Sequence, residues 1–479
     1  MPVPEGGMIS SPAPGAIGDL TRPGGLREQQ GRGSKRGPAA WVAMLGTLFP
    51  ASPARHAQPR TRAARLTAAA LAAAAIAAGA GLLLLRQSGV PAWRTMWGED
   101  GYVFLPQALA HPLPSLLWPY AGYLQLVPRL IADGVTLLPL TDAAMAYAVT
   151  GALIAAGCAV FVCHASAGHI RSPWLRAVLA AGVVLLPSAV VEVANSGVDA
   201  PWYLVFATFW ALLWRPRSPA GRVLAAGICF AAASSQLLVI LFAPLVLARV
   251  LVLRRAAEHA ATAGWLAGIT LQLVFYGPSQ ELGRLATLPA ALRFYGQHVL
   301  LAAVAGRRLA GLAEAASGPA TVMLATVALA AGAAWMLARG GPRLAAFAVT
   351  CLALGLALCV VPAVIRGWVT APVSASAVWI PGSRYTVVPI LLIYSAALVA
   401  ADAVLARPGG GPVRWLVPAA LLLILVVPWA ADFRGANLRS SYPPWPETIS
   451  RLAAGCGHTG RGSVWAEPIR ARVDCSRLE

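Results

Sequence analysis

Long apolar runs recur along almost the whole chain, and they constrain its fold more than any other feature. The first run, Leu66 to Leu85, is long enough to cross a bilayer, which takes about 20 helical residues. Hydrophobic residues make up 58% of the 479 residues and charged residues 11%, whereas soluble domains carry roughly 25% charged residues. Inside hydrocarbon a helix satisfies its own backbone hydrogen bonds. The sequence therefore predicts an all-α polytopic membrane protein.

Ten further apolar runs bring the predicted number of transmembrane helices to about eleven. They lie near residues 142–163, 175–191, 202–214, 223–234, 236–253, 260–276, 319–338, 344–363, 385–405 and 413–431. Basic loops such as "RPRSPAGR" and "ARPGGGPVR" alternate with less basic ones, and basic loops stay in the cytoplasm. This pattern predicts that the N-terminus is inside, the C-terminus is outside, and a tight hairpin forms around Ser234, Ser235 and Gln236.

Composition divides the chain into three regions. Residues 1–62 are rich in Gly, Pro and Arg, which predicts a disordered basic cytoplasmic leader. Residues 63–431 form the transmembrane domain, and residues 432–479 form a small external tail in which Cys456 and Cys475 are expected to form a disulfide. The net charge of +19 comes from basic clusters between apolar runs, as membrane topology requires, so we do not expect a nucleic-acid partner.

An adjacent pair of carboxylates, Glu99 and Asp100, lies in a long external segment, residues 86–141, whose aromatic residues and prolines suggest interfacial helices. Other acids on the predicted outer side are Asp133, Asp142, Glu192, Asp199, Glu281 and Glu314. Arginines on the same side are chiefly Arg94, Arg129, Arg284, Arg293, Arg366 and Arg384. Carboxylates act as general bases or hold divalent metals, and guanidinium groups match phosphate oxygens. Together they suit a phosphate-activated substrate, although simple ion pairs in polar loops would give the same composition.

The position of this acidic pair resembles the signature of the GT-C superfamily of membrane glycosyltransferases, which carry such a motif in the first external loop. The stretches "PYAGYLQLVPRLIA" (119–132), "NSGVDAPWYLVF" (195–206) and "PGSRYTVVP" (381–389) are also similar to bacterial proteins of this class. The resemblance is one of layout over most of residues 63–479. It implies transfer of a sugar, with inversion, from a polyprenyl-phosphate donor to a cell-envelope glycan, lipid or protein. The reaction would occur on the outer face of the inner (plasma) membrane.

The resemblance also suggests roles for individual residues. Asp100 is expected to act as the base or to position a metal, with Glu99 as its partner, and Mg²⁺ or Mn²⁺ is an open possibility. Arg129 and Arg384 are the candidates for binding phosphate, because each lies where an external segment meets a helix; snorkelling to the lipid headgroups is the alternative. The further candidates for substrate contact are Asp199, Glu192, Tyr123 and Tyr385.

Two other functions remain open from the sequence. A transporter or lipid flippase would carry ionisable residues well inside its spans. The predicted spans hold few, and Asp402 lies near a cytoplasmic end. A catalytically inactive scaffold with the same fold would share the layout without the chemistry.

Overall fold

The computed structural model describes residues 44–51, 61–277, 284–370, 380–407, 411, 413–455, 461–466 and 469–474. The α-helices are α1 Arg62–Leu84, α2 Leu105–Ala110, α3 Leu126–Val135, α4 Ala143–Ala165, α5 Pro173–Leu185, α6 Pro201–Leu213, α7 Pro219–Ala233, α8 Ala243–Val252, α9 Ala260–Val274, α10 Leu288–Tyr295, α11 Ala302–Ser317, α12 Pro319–Arg339, α13 Gly341–Ile365, α14 Arg384–Leu405, α15 Val413–Ala431 and α16 Trp445–Gly455. Two antiparallel strands, β1 Arg461–Ala466 and β2 Ile469–Asp474, follow. The prediction of a helical membrane protein is confirmed, and the tail adds a small sheet that the sequence did not predict.

Shorter helical segments connect these elements. Two are π-helical, Asp100–Phe104 and Gly296–Leu301. The 3-10 segments are Ala92–Arg94, Pro114–Leu117, Leu140–Asp142, Ser166–Gly168, Pro187–Val190, Leu237–Phe242, Ala256–His259, Gly367–Thr370 and Leu438–Ser441. Several of them lie between α1 and α4, where the sequence predicted interfacial helices.

Within the described residues, six helices are long and apolar enough to cross a membrane. They are Arg62–Leu84, Leu140–Gly168, Pro173–Val190, Gly341–Ile365, Arg384–Leu405 and Arg414–Ala431. The other predicted spans are also helical, but most are shorter; α6 has 13 residues and α7 has 15. A span usually needs about 20 residues. The number of eleven spans and their orientation therefore stay predictions.

The stretch 222–253 breaks where the sequence predicted a hairpin. Helix α7 ends at Ala233, and the chain resumes as a 3-10 turn at Leu237. The backbone oxygen of Ser234 accepts a 3.2 Å hydrogen bond from Leu126 N, and Ser235 Oγ accepts one of 2.9 Å from Val127 N. The break thus holds the start of α3, a helix of the predicted external segment.

Helices α6 and α14 lie in the middle of the bundle. Every residue of α6 is buried, and so are most residues of α14. Both helices are rich in large apolar residues on all sides, the pattern of a helix enclosed by others. Asp199 precedes the first residue of α6 by two positions, and Arg384 is the first residue of α14. The two buried helices therefore fix both charged groups at the same end of the bundle.

Buried charged groups near the helix ends serve as caps. Asp402 accepts hydrogen bonds from the backbone N–H of Arg171 (3.0 Å) and Ser172 (2.8 Å), where α5 begins. Arg86 donates to the carbonyls of Val184 (2.7 Å) and Leu186 (2.8 Å), where α5 ends. These bonds satisfy backbone groups that a helix end leaves open. The Asp402 carboxylate therefore has a structural role.

The leader is not wholly disordered. Leu48 and Phe49 are buried against the bundle. His169 Nε2 lies 3.2 Å from the Leu48 oxygen, and Arg215 donates a 3.2 Å bond to the Phe49 oxygen. The prediction of disorder does not hold for residues 44–51, because this stretch supplies apolar side chains that the bundle buries.

The tail lies beside the segment between α1 and α4. Strand β1 neighbours α16, and β2 neighbours the Asp100–Phe104 turn. Trp445 of α16 is buried, and its indole N–H donates a 2.7 Å bond to the Leu140 oxygen. The predicted disulfide between Cys456 and Cys475 lies outside the described residues.

Candidate functional site

A cavity of about 380 Å³ lies next to the starts of α6 and α14. It collects charged and aromatic side chains from segments that are far apart in sequence. Its walls are formed by Glu99, Tyr102, Tyr120, Ala121, Tyr123, Gln125, Val198, Asp199, Gln236, Arg366, Trp368 and Arg384. Four of the residues suggested by the sequence converge here: Glu99, Tyr123, Asp199 and Arg384. Glu192 lies directly behind the wall and contacts Arg384.

The two adjacent acids have different surroundings. Glu99 is partly exposed and lines the cavity, and among the described residues its side chain forms no ion pair and no helix cap. Asp100 is completely buried behind the wall. Its carboxylate accepts hydrogen bonds from Gly197 N (2.9 Å), Val198 N (2.8 Å) and, at 3.3 Å, Ser196 Oγ. Asp100 therefore holds a loop, and Glu99 is the member of the pair that a substrate can reach.

The loop held by Asp100 carries Asp199 into the cavity. Asn195 adopts a positive φ of 59°, and its side-chain amide donates a 2.8 Å bond to the Leu83 oxygen at the end of α1. Asparagine tolerates this conformation better than most residues. At Gly197 a β-carbon would lie 2.6 Å from Tyr147 Cδ1, so only glycine fits. These contacts hold residues 195–199 in place against helices α1 and α4.

Arg439 holds the same loop from the tail side. Its guanidinium donates 2.9 Å bonds to the backbone oxygens of Ala194 and Asn195, and it lies over the Trp97 ring, 5.5 Å from the ring centre. Burial lowers the pKa of Arg439 to about 10, so it keeps its charge at neutral pH. The charge also favours the ionised form of the nearby Asp100.

Arg384 lies between two buried carboxylates. Its guanidinium is 3.7 Å from Glu192 Oε1 and 3.6 Å from Asp199 Oδ1. Glu192 is fixed further, because Ser383 Oγ and Arg384 N donate bonds of 2.9 and 2.8 Å to its Oε2. Within the described residues Asp199 Oδ2 has no hydrogen-bond partner. This oxygen is buried and thus lacks the partner that a buried carboxylate oxygen usually has.

Tyrosines form an aromatic side of the cavity. The hydroxyls of Tyr102 and Tyr120 are 3.1 Å apart, and Tyr120 and Tyr123 exchange backbone hydrogen bonds of 2.9 and 3.2 Å. Burial raises the pKa of Tyr123 to about 12, so its phenol stays protonated and can donate a hydrogen bond. The side chain of Gln272 bonds both backbone groups of Leu124 and thereby anchors this turn to α9.

Two important wall residues come from the segment after α13. Arg366 follows the last residue of that helix, and Trp368 lies in the next turn. In the sequence Arg366 is one of several outer arginines and Trp368 one of several boundary tryptophans, so neither was assigned a role. Gln125 and Gln236, which also line the cavity, carry no pattern that would single them out.

Besides Asp100 and Glu192, two more suggested residues do not line the cavity, Arg129 and Tyr385. Arg129 is buried on α3, where it donates a 2.9 Å bond to Gln107 and lies over the Phe104 ring. Tyr385 is buried behind Arg384 and packs edge to face against Trp202. Both side chains are enclosed by neighbouring helices, so the predicted phosphate-binding role of Arg129 is not supported by its position.

A divalent metal does not fit the acidic pair as the structure builds it. Both Asp100 oxygens already accept hydrogen bonds, and the side chain is fully buried. Mg²⁺ and Mn²⁺ prefer several oxygen ligands around one open position. No group of three or more His, Cys, Asp or Glu side chains among the described residues could hold a metal ion. A metal requirement stays a prediction of the resemblance.

Asp100 is expected to make stability depend on pH. Burial raises its pKa from 3.8 to about 7, against the opposing effect of its hydrogen bonds and Arg439. Between these values the folded protein keeps a proton that the unfolded chain has released. The free energy of unfolding therefore falls as the pH rises through this window, by a few kcal/mol at most. The melting temperature is expected to differ more between pH 5 and pH 8 in wild type than in Asp100→Asn. Equal differences in the two proteins would refute the raised pKa of Asp100.

Comparison with known proteins gives no relative from which function could be transferred. No family model, curated protein or solved structure matches this chain. The resemblance to the GT-C superfamily therefore stays a prediction from the sequence layout, and the function has to be inferred from the chemistry of the cavity.

Proposed function

We propose that this protein is a membrane glycosyltransferase that moves a sugar from a polyprenyl-phosphate donor to a cell-envelope acceptor. The observation that supports it best is one cavity, at the ends of the membrane helices, that holds two carboxylates and two guanidinium groups. A lipid-linked donor can present its phosphate there while its chain stays in the bilayer. Carboxylates and arginines are the groups that a transfer from phosphate to a hydroxyl requires.

Glu99 is the proposed general base. Its carboxylate would take the proton of the acceptor hydroxyl while the acceptor oxygen bonds to the anomeric carbon. At the same time the bond between that carbon and the phosphate oxygen breaks, and the electron pair leaves with the lipid phosphate. This assignment differs from the sequence-based one, because Glu99 lines the cavity and Asp100 lies behind its wall. Asp100 is the proposed positioning residue, acting through the loop of residues 196–199.

The two arginines on the wall are proposed to stabilise the leaving phosphate. Arg384 lies beside Glu192 and Asp199, and Arg366 places a second positive charge on the same wall. It takes the place that the sequence suggested for Arg129. Preorganised cations at the site of developing charge are often the largest contribution to catalysis.

The remaining polar groups suit a sugar. The phenol of Tyr123, a wall residue, can donate a hydrogen bond to a sugar or acceptor hydroxyl. Tyr102, Tyr120 and Trp368 offer aromatic surfaces against which a sugar ring can pack.

A transporter or lipid flippase is the main alternative. Its route through the membrane would need polar groups that a substrate could meet. Asp402 and Arg86 are instead occupied as helix caps. Arg249 is likewise buried and donates to backbone oxygens, including that of Trp214 at 3.0 Å. These buried charges thus have structural explanations, which favours chemistry at one end of the bundle.

The direct test is sugar transfer by the purified protein in liposomes. A panel of polyprenyl-phosphate sugars would be offered with extracted envelope lipids and glycans, and labelled product would be followed. At least one donor is expected to give a product, with release of polyprenyl phosphate. Donor movement across the bilayer without any product would favour the flippase, and donor binding with neither product nor movement would favour the inactive scaffold.

A further inference from the structure

A second charged feature lies outside the cavity wall, where α1 and α15 end. The Arg308 guanidinium lies 3.6 Å from the Asp432 carboxylate, the backbone N–H groups of Arg307 and Arg308 donate to the same carboxylate, and Arg434 follows it by two residues. The end of α1 connects to Glu99 within 15 residues, so the group lies at the same end of the bundle as the cavity. The positive-inside rule places arginines at the opposite, cytoplasmic end. Membrane insertion therefore does not explain these three.

The backbone around the group is closely fitted. Gly306 adopts a φ of +71°, and a β-carbon there would lie 2.6 Å from Asp432 Oδ2. After this glycine the helix restarts, and Asp432 Oδ2 accepts bonds from Arg307 N (2.6 Å) and Arg308 N (3.3 Å). The carboxylate thus occupies the open N–H groups of the helix. Any attraction for a further anion must come from the arginine side chains.

The arginines connect three segments of the chain. Arg308 donates a 3.2 Å bond to the Arg434 oxygen, and Arg434 donates one of 3.2 Å to the Leu85 oxygen. The Arg308 side chain is nevertheless 60% exposed, and Arg434 is exposed as well. Among the described residues, Asp432 forms an ion pair with Arg308 alone, so the exposed guanidinium of Arg434 adds a positive charge that this carboxylate does not pair with.

Exposed apolar side chains surround this charged group on the same three segments. They are Leu82 and Leu85 at the end of α1, Leu309 and Leu312 on α11, and Val426 and Val427 on α15. In a membrane protein such side chains face acyl chains. A positive group directly beside a lipid-facing surface matches the two parts of a phospholipid, a phosphate and its hydrocarbon tails.

We propose that Arg308 and Arg434 bind the phosphate headgroup of an anionic phospholipid, whose acyl chains lie along α11 and α15. Arginine holds phosphate oxygens through paired hydrogen bonds, which a zwitterionic headgroup with its own cation satisfies less well. The proposal does not depend on the glycosyltransferase assignment, because none of these residues lines the cavity.

The test measures lipid binding by the full-length purified protein. Native mass spectrometry and thermal unfolding in mild detergent would be followed as dioleoyl phosphatidylglycerol, phosphatidylcholine or inorganic phosphate is added. The variant is Arg308→Gln with Arg434→Gln. The matched control is Arg254→Gln with Arg255→Gln, two exposed arginines beyond the far end of α8. The single variant Arg308→Gln serves if the double variant is lost in purification.

Wild type is expected to bind and be stabilised by phosphatidylglycerol and to respond little to the other two probes. Binding should weaken about fivefold for each arginine removed, and about 25-fold for the pair. The control variant with Arg254→Gln and Arg255→Gln should keep nearly all of the phosphatidylglycerol binding. Equal binding of phosphatidylcholine, equal loss in both double variants, or equal stabilisation by inorganic phosphate would each overturn the proposal.

Discussion

Replacing Glu99 with glutamine is expected to lower the rate of sugar transfer by about 10²- to 10⁴-fold, the usual contribution of a general base. Glutamine keeps the size and polarity of the side chain but cannot take the acceptor proton. Because Glu99 is partly exposed and forms no ion pair among the described residues, folding should be unaffected. The measurement is single-turnover transfer in liposomes, with donor affinity determined separately.

A matched control is available on the same face. Glu447→Gln removes a glutamate of the predicted external tail, which pairs with Arg94 at an exposed position. It should leave transfer unchanged, since exposed pairs contribute little to stability. Asp100→Asn separates the two members of the acidic pair. If Asp100→Asn abolished transfer without loss of stability while Glu99→Gln remained active, the base would be Asp100 and the assignment made here would be wrong.

The acidic pair shows how far the sequence could lead. Its position after the first apolar run was enough to place it at the site. Which acid faces the substrate depends on the helical turn, because successive residues of a helix point in different directions. The turn at Asp100–Phe104 buries Asp100 and leaves Glu99 on the wall. The sequence alone does not show which way this turn faces, so it could not predict which of the two acids lines the cavity.

The arginines give a second example. Arg129 and Arg366 both lie in predicted outer segments, and the sequence offered no reason to prefer Arg366. The buried positions of α3 include Pro128, Ile131, Ala132 and Val135, so Arg129 falls within the apolar side of its helix. That periodicity could have indicated its burial. Arg366 reaches the cavity only because α13 ends beside the start of α14, a tertiary arrangement that local pattern does not encode.

The fold was predictable in a similar, partial way. Each predicted apolar run is helical in the structure, since hydrophobicity determines which segments are buried in lipid or protein, but α10, α11 and α16 lie outside those runs. The apolar runs did not reveal that helices such as α6 are short and completely enclosed. An enclosed helix and a lipid-exposed span have the same apolar composition, so the number of spans cannot be read from composition alone.

Replacing Arg384 with glutamine is expected to cost about 3–5 kcal/mol of stability, the effect of removing one partner from a buried ion pair. Glu192 and Asp199 have side chains that are only 2% exposed. Without the guanidinium, their two negative charges would face each other in a region largely closed to water. The measurement is the free energy of unfolding in mixed detergent micelles, with Arg451→Gln, an exposed arginine of α16, as the control.

The second half of this test is a rescue. Adding Glu192→Gln to Arg384→Gln removes one of the two stranded charges and should recover part of the lost stability, which a double-mutant cycle would report as coupling. Transfer should remain low in both variants, because neither restores the positive charge of Arg384 beside Arg366 on the cavity wall. A small stability loss in Arg384→Gln, or no recovery in the double variant, would mean that the carboxylates do not depend on Arg384. The geometry of 3.6 and 3.7 Å would then represent proximity without a strong interaction.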